Sequence, residues 1–562
     1  MSKRFGAVLS FLLLTLSLLV GLASPLRVDA AENQPRIEVD QEALNQGLET
    51  PGVLRVGMEA NYAPYNWSQT TDANGAIEIS NASGEYANGY DVQIAKQIAD
   101  ALGLKLEIVK MEWDGLPPAL QSAKIDAIVA GMSPTPEREK QIDFTDEYYG
   151  SDMVVVTLKD GPYANAQSIN DFNGAKVTAQ LNTFHVDLLD QMQGIDKQTP
   201  MDSFPTMISS LLSNKIDAYI SDRPGALSAV AANPDLKIVS FDEGKGFDTG
   251  DIANWSSVGL RKDSPLMEPI NQALATIPDK DRENLMQEMV DLNNRGEDIG
   301  FWGEVASIWS TYKGQLLKGA ATTMYIALIS TIVGFLIGLL IAIYRSMPIG
   351  ESSGIVSILY KVVEFLITAY IEVFRGTPMM VQAMMIFYGS KLFLGIDMSS
   401  MFAALLIVSV NTGAYLAEVI RGGIIGVDDG QSEAAKAIGM NHFQTMTYVV
   451  LPQAIRSILP ALGNEFVINI KDTSVLNVIA VTELFFVSKS AAGTTYLTFQ
   501  TFFITAIIYF VLTFTTTRLL RLVEKKMSGS DTYTVYQSST SEVNIHEKWD
   551  FNNFSLREEV WR

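Results

Sequence analysis

Three patterns of apolar and polar positions succeed one another along the 562 residues. The first is brief. Lys3 and Arg4 precede an apolar run over 11–20, and Val28-Asp29-Ala30 supplies small residues after it. That layout predicts a secretory signal over 1–30, cut near Ala30 or Ala31, with an uncleaved anchor helix as the other reading. A polar, irregular spacer follows over 31–50. The second pattern starts at Gly52. Short β runs at 53–57, 104–109 and 127–130 alternate with amphipathic stretches at 91–102 and 116–123. A second set comprises a strand at 177–179, a helix around 207–212 and a strand at 218–220. Such alternation predicts parallel sheets with helices on both faces, here as two α/β lobes with a binding crevice between them.

The third pattern is a series of apolar runs long enough to cross a bilayer. After an amphipathic segment at 302–317, spans are expected at about 316–344, 354–388, 401–420, within 455–487 and within 497–520. The second is long and contains Arg375-Gly376-Thr377-Pro378, which predicts a kink or break. Arg345 follows the first span, Arg421 the third, and Arg518, Arg521, Lys525 and Lys526 the last. With the α/β domain outside, five spans put all these cations in the cytoplasm, whereas six would put the last cluster outside. The expected architecture is a two-lobed α/β domain over 51–300, then an all-α membrane domain of five helices over 301–527. A polar cytoplasmic tail without assigned role closes the chain over 528–562.

Charge sharpens this division. Residues 31–300 carry a net charge of −23 and residues 301–562 of −1. An acidic outer domain repels phosphate backbones, so nucleic acid is excluded as a partner. The chain has no cysteine, hence no disulfide and no lipid-bearing cysteine after the signal. Once the signal is cut, only the covalent link to the membrane half retains the outer domain.

Between 51 and 298 the chain resembles the bacterial periplasmic-type binding proteins for polar amino acids. The resemblance rests on LRVGMEANYAPYNW (54–67), GYDVQIAKQIADALGL (89–104), EWDGLPPALQSAKIDAIVAGMSPTPEREKQIDFTDEYY (112–149) and DAYISDRPGA (217–226). It implies two lobes joined by a two-strand hinge, with 154–158 and 258–260 as the crossovers. It also implies a site for an α-amino acid. Arg138 offers a bidentate fork to the carboxylate, helped by Ser133, backbone groups near Gly131, and Thr183 in the second lobe. Asp222 is placed to accept from the α-ammonium, or to cap the helix begun by Arg223-Pro224-Gly225. Glu59, Tyr62 and Trp113 surround the side chain, and two aromatic faces with a carboxylate suit a cationic amino acid: lysine, arginine, ornithine or histidine. Glutamine or glutamate is the alternative. Asn182 and Phe184 stand where family members often carry glycine.

The loop EAAKAIGMNHFQTMTYVVLPQA (433–454) reads as a short helix, a turn at Gly439 and a second amphipathic helix. With RGTP (375–378), TGAYLAEVIRGGI (412–424) and KDTSVL (471–476), it resembles the polar amino-acid permeases of ATP-binding-cassette importers. The resemblance implies that Glu433, Ala434, Ala435 and Gly439 couple to a dimer of separate ATPase subunits holding ATP and Mg. No GxxxxGK[ST] loop occurs in this chain, and no cofactor or metal is expected on it. A homodimer in the lipid bilayer is the simplest assembly, in the cell membrane of a Gram-positive bacterium. Glu372, Arg375, Glu465, Lys471 and Asp472 are ionisable residues within spans and so candidates for contact with the cargo. A ligand-gated channel or receptor is a rival, but no filter-like pore loop is evident. An enzyme is disfavoured because His185, His442 and His546 are scattered and no nucleophile has a recognisable setting.

Overall fold

The computed structural model describes residues 37–249, 254–292, 299–347 and 355–527. The expected signal over 1–30 and tail over 528–562 lie outside the described residues. The spacer is less irregular than its polarity suggests. Gln41–Gly47 is a helix capped by Asp40, and Leu44 and Leu48, four apart, are buried in the first lobe.

Each lobe holds a five-stranded sheet. In the first, the spatial order is Lys105–Lys110, Val53–Met58, Ala127–Ile128, Trp255–Leu260, Asp143–Gly150. In the second it is Asp196–Lys197, Lys176–Thr178, Ala218–Asp222, Met153–Leu158, Leu236–Val239. Helices Tyr90–Leu102 and Phe204–Leu212 form where the apolar spacing predicts them, because each presents one apolar stripe to its sheet. The expected crossovers need correction. Residues 154–158 lie wholly in the second lobe's sheet, where they pair on both sides, and 258–260 in the first lobe's, where Gly259 and Leu260 pair on both sides. The chain changes lobe at Ser151-Asp152, held to the return strand by the Ser151 N–H to Asn254 carbonyl bond of 3.2 Å.

Asp126 ties the first lobe together. Its fully buried carboxylate accepts from the N–H groups of Glu49 and Arg55, both at 3.0 Å, and pairs with Arg55 and Arg261 at 3.6 and 3.4 Å. The helix at 41–47, the first strand and the return strand thus meet at one charge.

In the helical half we label α1 (Gly300–Arg345), α2 (Ile355–Gly376), α3 (Met379–Leu394), α4 (Ser400–Ile425), α5 (Asp429–Ala437), α6 (Leu451–Asp472), α7 (Leu484–Thr495) and α8 (Thr498–Met527). Among the described residues three helices are long and apolar enough to cross a membrane: α1, α4 and Thr498–Lys526. A fourth span results if His442–Ile479 and Leu484–Thr495, bent by 57°, count as one. The second expected span is two helices, broken at Thr377-Pro378 as Gly and Pro there predict. Its charges (Lys361, Glu364, Glu372, Arg375) and its break keep α2 and α3 from qualifying singly, so the count of five is not reproduced by length and composition.

Glu483 anchors α7. Its carboxylate is fully buried and accepts from the N–H groups of Phe485 (3.0 Å) and Phe486 (2.7 Å) and from the Tyr509 hydroxyl of α8 (3.1 Å). Thr323 of α1 joins by accepting from the Leu484 N–H at 3.2 Å. At the far end of the bundle Arg345 pairs with Glu364 at 2.9 Å and Glu418 at 2.6 Å, joining α1, α2 and α4.

The binding domain sits directly on this bundle. Gly493 of α7 packs so closely on Asn61 that a Cβ there would lie 2.4 Å from the asparagine's own Cβ and 2.7 Å from its carbonyl. Lys124 pairs with Asp397 at 2.8 Å, and Lys391 reaches both Glu49 and Asp397.

Replacing Asp126 by Ala should cost about 3–5 kcal/mol, because two guanidinium groups and two partly buried N–H groups lose one partner together. Chemical denaturation followed by tryptophan fluorescence measures this, and a change below about 1 kcal/mol would contradict the hub role.

Candidate functional site

The cleft between the lobes is lined by all eight residues that the sequence singles out: Glu59, Tyr62, Trp113, Gly131, Ser133, Arg138, Thr183 and Asp222. Arg138 follows the short helix start capped by the Thr135 hydroxyl. Its guanidinium donates to the Ser133 carbonyl of its own lobe and to the Asn182 carbonyl of the other, both at 2.8 Å, and lies over the Trp113 ring at 5.1 Å. Burial pushes it down to about 10, which leaves it protonated at neutral pH. Two donors are thus spent on positioning, and the rest of the fork faces the cleft.

Asn182 holds a left-handed conformation, φ 58°, which asparagine tolerates better than most residues and which accounts for a family preference for glycine there. Its side chain donates to Asp114 at 2.8 Å, a second bond across the lobes. The Thr183 hydroxyl donates to the Gln180 carbonyl at 2.7 Å and so shapes this loop.

Gly131 also needs positive φ, 61°, and a Cβ there would press within 3.3 Å of the Tyr62 ring. Its N–H donates to the Tyr148 hydroxyl, which in turn donates to buried Asp91 at 2.8 Å. The expectation that this loop supplies ligand donors is therefore narrowed, since the Gly131 N–H is already engaged.

Asp222 carries out the capping role. One carboxylate oxygen accepts from the Gly225 N–H at 2.7 Å and the other from the Tyr62 hydroxyl of the opposite lobe. Burial holds its carboxyl above the usual range. Tyr62 stacks between Tyr65 and Phe204, with ring centroids 5.0 and 4.9 Å away. The lobes are thus shut, with Tyr62 and Asp222 satisfying one another across the cleft.

Glu59 is 5% exposed. Burial above all, and then the nearby carboxylates of Glu112, Asp114 and Asp202, raise it to about 8, while the Lys489 ammonium pulls the other way. This corner of the cleft is an acidic pocket, suited to a cation or, while Glu59 is protonated, to a hydrogen-bond acceptor.

Several lining residues escape the sequence reading. Tyr65 and Tyr149 fall within the amino-acid-binding motifs yet carry no separate signal, and Gln180 lies beside the Thr183 loop. His185 has the clearest chemistry. It is buried, its Nδ1 lacks a hydrogen-bond partner among the described residues, and burial beside Arg138 lowers it to about 4, leaving a neutral ring.

The membrane candidates do not form one cluster. Glu372 and Arg375 are exposed on α2, with Arg375 over the Tyr415 ring at 5.4 Å. Glu465 is half-buried on α6, Asp472 ends that helix, and Lys471 lines a separate depression with Arg518 and Arg521. Glu483, the charged side chain most fully buried among the described residues of the helical half, is missing from the sequence candidates because it lies outside every motif. In the 433–454 loop, α5 carries Glu433, Ala434 and Ala435, and Gly439 makes the expected turn at φ 86°. Ile438, Phe443 and Tyr448 are exposed around it.

A family model for bacterial extracellular solute-binding proteins, family 3, matches residues 54–288. One for the binding-protein-dependent transport system inner membrane component matches residues 334–529. The nopaline transport system permease protein of Agrobacterium fabrum is 36% identical over 219 residues, 37% of this chain and 86% of that protein. The chain belongs to the amino-acid permeases of ABC transporters, with a solute-binding domain fused in front. Other permease relatives diverge in cargo. The arginine transport system permease protein of Bacillus subtilis is 31% identical, covering 38% of this chain and 94% of that one. The glutamine transport system permease protein of Escherichia coli is 33% identical, covering 40% and 96%.

The Glu59 carboxyl should titrate near pH 8 in the closed chain, neutral below and ionised above. Infrared difference spectra of the full-length protein should show a protonated-carboxyl component fading between about pH 7 and 9 that Glu59→Gln removes, while the component of buried Asp91, raised to about 7, persists in the variant. A band that has already vanished by about pH 6 would contradict the burial argument.

Proposed function

We propose that this fused permease imports a cationic amino acid (lysine, arginine, ornithine or histidine), driven by a separate pair of ATPase subunits. The observation that carries the cargo reading is the buried Glu59 among three further carboxylates, beside the aromatic faces of Trp113 and Tyr62. A ligand ammonium or guanidinium would replace the proton that burial places on Glu59. Arg138 would take the α-carboxylate with its remaining donors, and Asp222, released from Tyr62, would take the α-ammonium. Glutamine is the second reading, because a protonated Glu59 would donate to an amide oxygen.

The membrane half is proposed to have five spans, with α2 and α3 together forming the second, the binding domain outside and the C-terminus in the cytoplasm. The exposed Ile438, Phe443 and Tyr448 around the Gly439 turn support α5 and the next helix as the ATPase-docking element, and one binding and one membrane domain per chain make a homodimer the simplest assembly. Glu465 and Asp472, on one helix, are proposed to carry the cargo's charge through the membrane domain.

pH separates the two cargo readings. A cationic ligand needs Glu59 ionised, so its affinity should rise about tenfold per pH unit up to about pH 8. Glutamine affinity should hold or fall over the same range. Titration calorimetry on the full-length protein from pH 6 to 8 decides between them, and Glu59→Gln should abolish the rise. Replacing Arg138 by Ala should cost about 2–5 kcal/mol of binding to either ligand, because the carboxylate is left buried without its partner. A loss under tenfold would remove Arg138 from the site.

A further inference from the structure

One cation of the membrane half contacts both lobes of the binding domain. Lys489, on α7, has its ammonium 2.6 Å from Glu112, at the end of the first lobe's cleft wall, and 3.6 Å from Asp202 of the second lobe. Only 16% of its side chain is exposed. The next turns repeat the arrangement. The Tyr496 hydroxyl donates to the Ala63 carbonyl of the first lobe at 2.7 Å, and the Thr498 hydroxyl donates to the Pro205 carbonyl of the second at 3.2 Å. A ten-residue stretch therefore lies across the mouth of the cleft, with one polar contact of each pair on each lobe.

Glu112 and Asp202 belong to bodies that change lobe at the Ser151-Asp152 crossover, so they come within reach of one ammonium only when the lobes are shut. An open domain offers Lys489 one carboxylate and leaves the other too far away to pair. The position of the lysine is itself fixed. Glu483 pins the start of α7 to α1 and α8, and Gly493 seats the helix on Asn61 without room for a side chain.

We infer that Lys489 is the residue through which the membrane domain distinguishes a closed, loaded binding domain from an open one. Its ammonium stabilises docking only where both carboxylates converge. The inference rests on the importer reading but not on which amino acid is carried. By linkage, whatever closes the lobes tightens docking, and docking holds the lobes closed by the same factor.

The native chain has no cysteine, so a spin-label pair is readily introduced, with Gln97→Cys on the first lobe and Glu243→Cys on the second, both exposed. Lobe distances are measured by pulsed electron resonance on the full-length chain in lipid nanodiscs, with L-arginine and in parallel with L-glutamine. Variants are compared in whichever ligand closes the wild type, so an error in the cargo reading shows separately, as the wrong ligand closing it. Lys489→Met should lower the ratio of closed to open lobes at least threefold, and Lys489→Arg should restore it. Glu112→Gln and Asp202→Asn should each lower the ratio alone and add little in the Lys489→Met background. A Lys489→Met distribution matching wild type would overturn the inference. So would a silent Asp202→Asn beside an active Glu112→Gln, since Lys489 would then be a tether to one lobe and blind to closure.

Discussion

A half-buried cation that must be satisfied from both sides of a gap is the constraint around which the binding domain is organised. Arg138 cannot lie in the cleft without partners, since an unpaired charge away from water is costly. It finds one carbonyl on each lobe, at Ser133 and Asn182. The same logic recurs in the Tyr62–Asp222 and Asn182–Asp114 bonds, which also cross the cleft. Closure is therefore held by polar bonds that run from one lobe to the other.

The membrane half meets this domain through Glu49, Glu112 and Asp202, which pair with lysines of the bundle. Lys124, Lys391 and Lys489 form the ion pairs of the interface, the first from the binding domain and the other two from the bundle. Beneath them Glu483 turns the start of α7 into a fixed point by gathering α1 and α8 around one carboxylate. Asn469, held to Thr331 at 2.8 Å and Thr412 at 3.0 Å, cross-links α6, α1 and α4 deeper in the bundle. Polar groups buried among apolar helices are expensive unless they are paired, so these bonds specify which helices neighbour one another.

Much of this was legible in the sequence. The two-lobed domain could be read from the alternation of strands and helices, and the helix break from Gly376 and Pro378. Seven of the eight cleft residues came from motifs whose members are dispersed along the chain but meet in space, and Thr183 from the resemblance of the second lobe's loop. What escaped depended on geometry that no local pattern carries. The crossover lies at Ser151-Asp152 because the strand before it pairs in the first lobe's sheet and the strand after it in the second's, and β propensity does not say with which sheet a strand pairs. The helix at 41–47 is too short to show amphipathic period. Asp222 could be a ligand group or a cap by sequence, and the Gly225 N–H makes it a cap in any case. Lys489 and Glu112 are 377 residues apart, and nothing in either neighbourhood announces the other.

The helix α1 runs for 46 residues, about 69 Å at 1.5 Å per residue, whereas the hydrocarbon core is about 30 Å thick. Its leading turns are thus a rigid extension of the bundle, and Gln315 and Lys318 on it reach the carbonyls of Gly84 and Ser83. A receptor joined to its membrane domain this way meets it in a first-order step. The docking rate then has no dependence on how many copies of the protein are made. Raising expression multiplies the number of transporters and leaves the cycle time of each unchanged, whereas a transporter fed by free binding proteins would speed up with their supply.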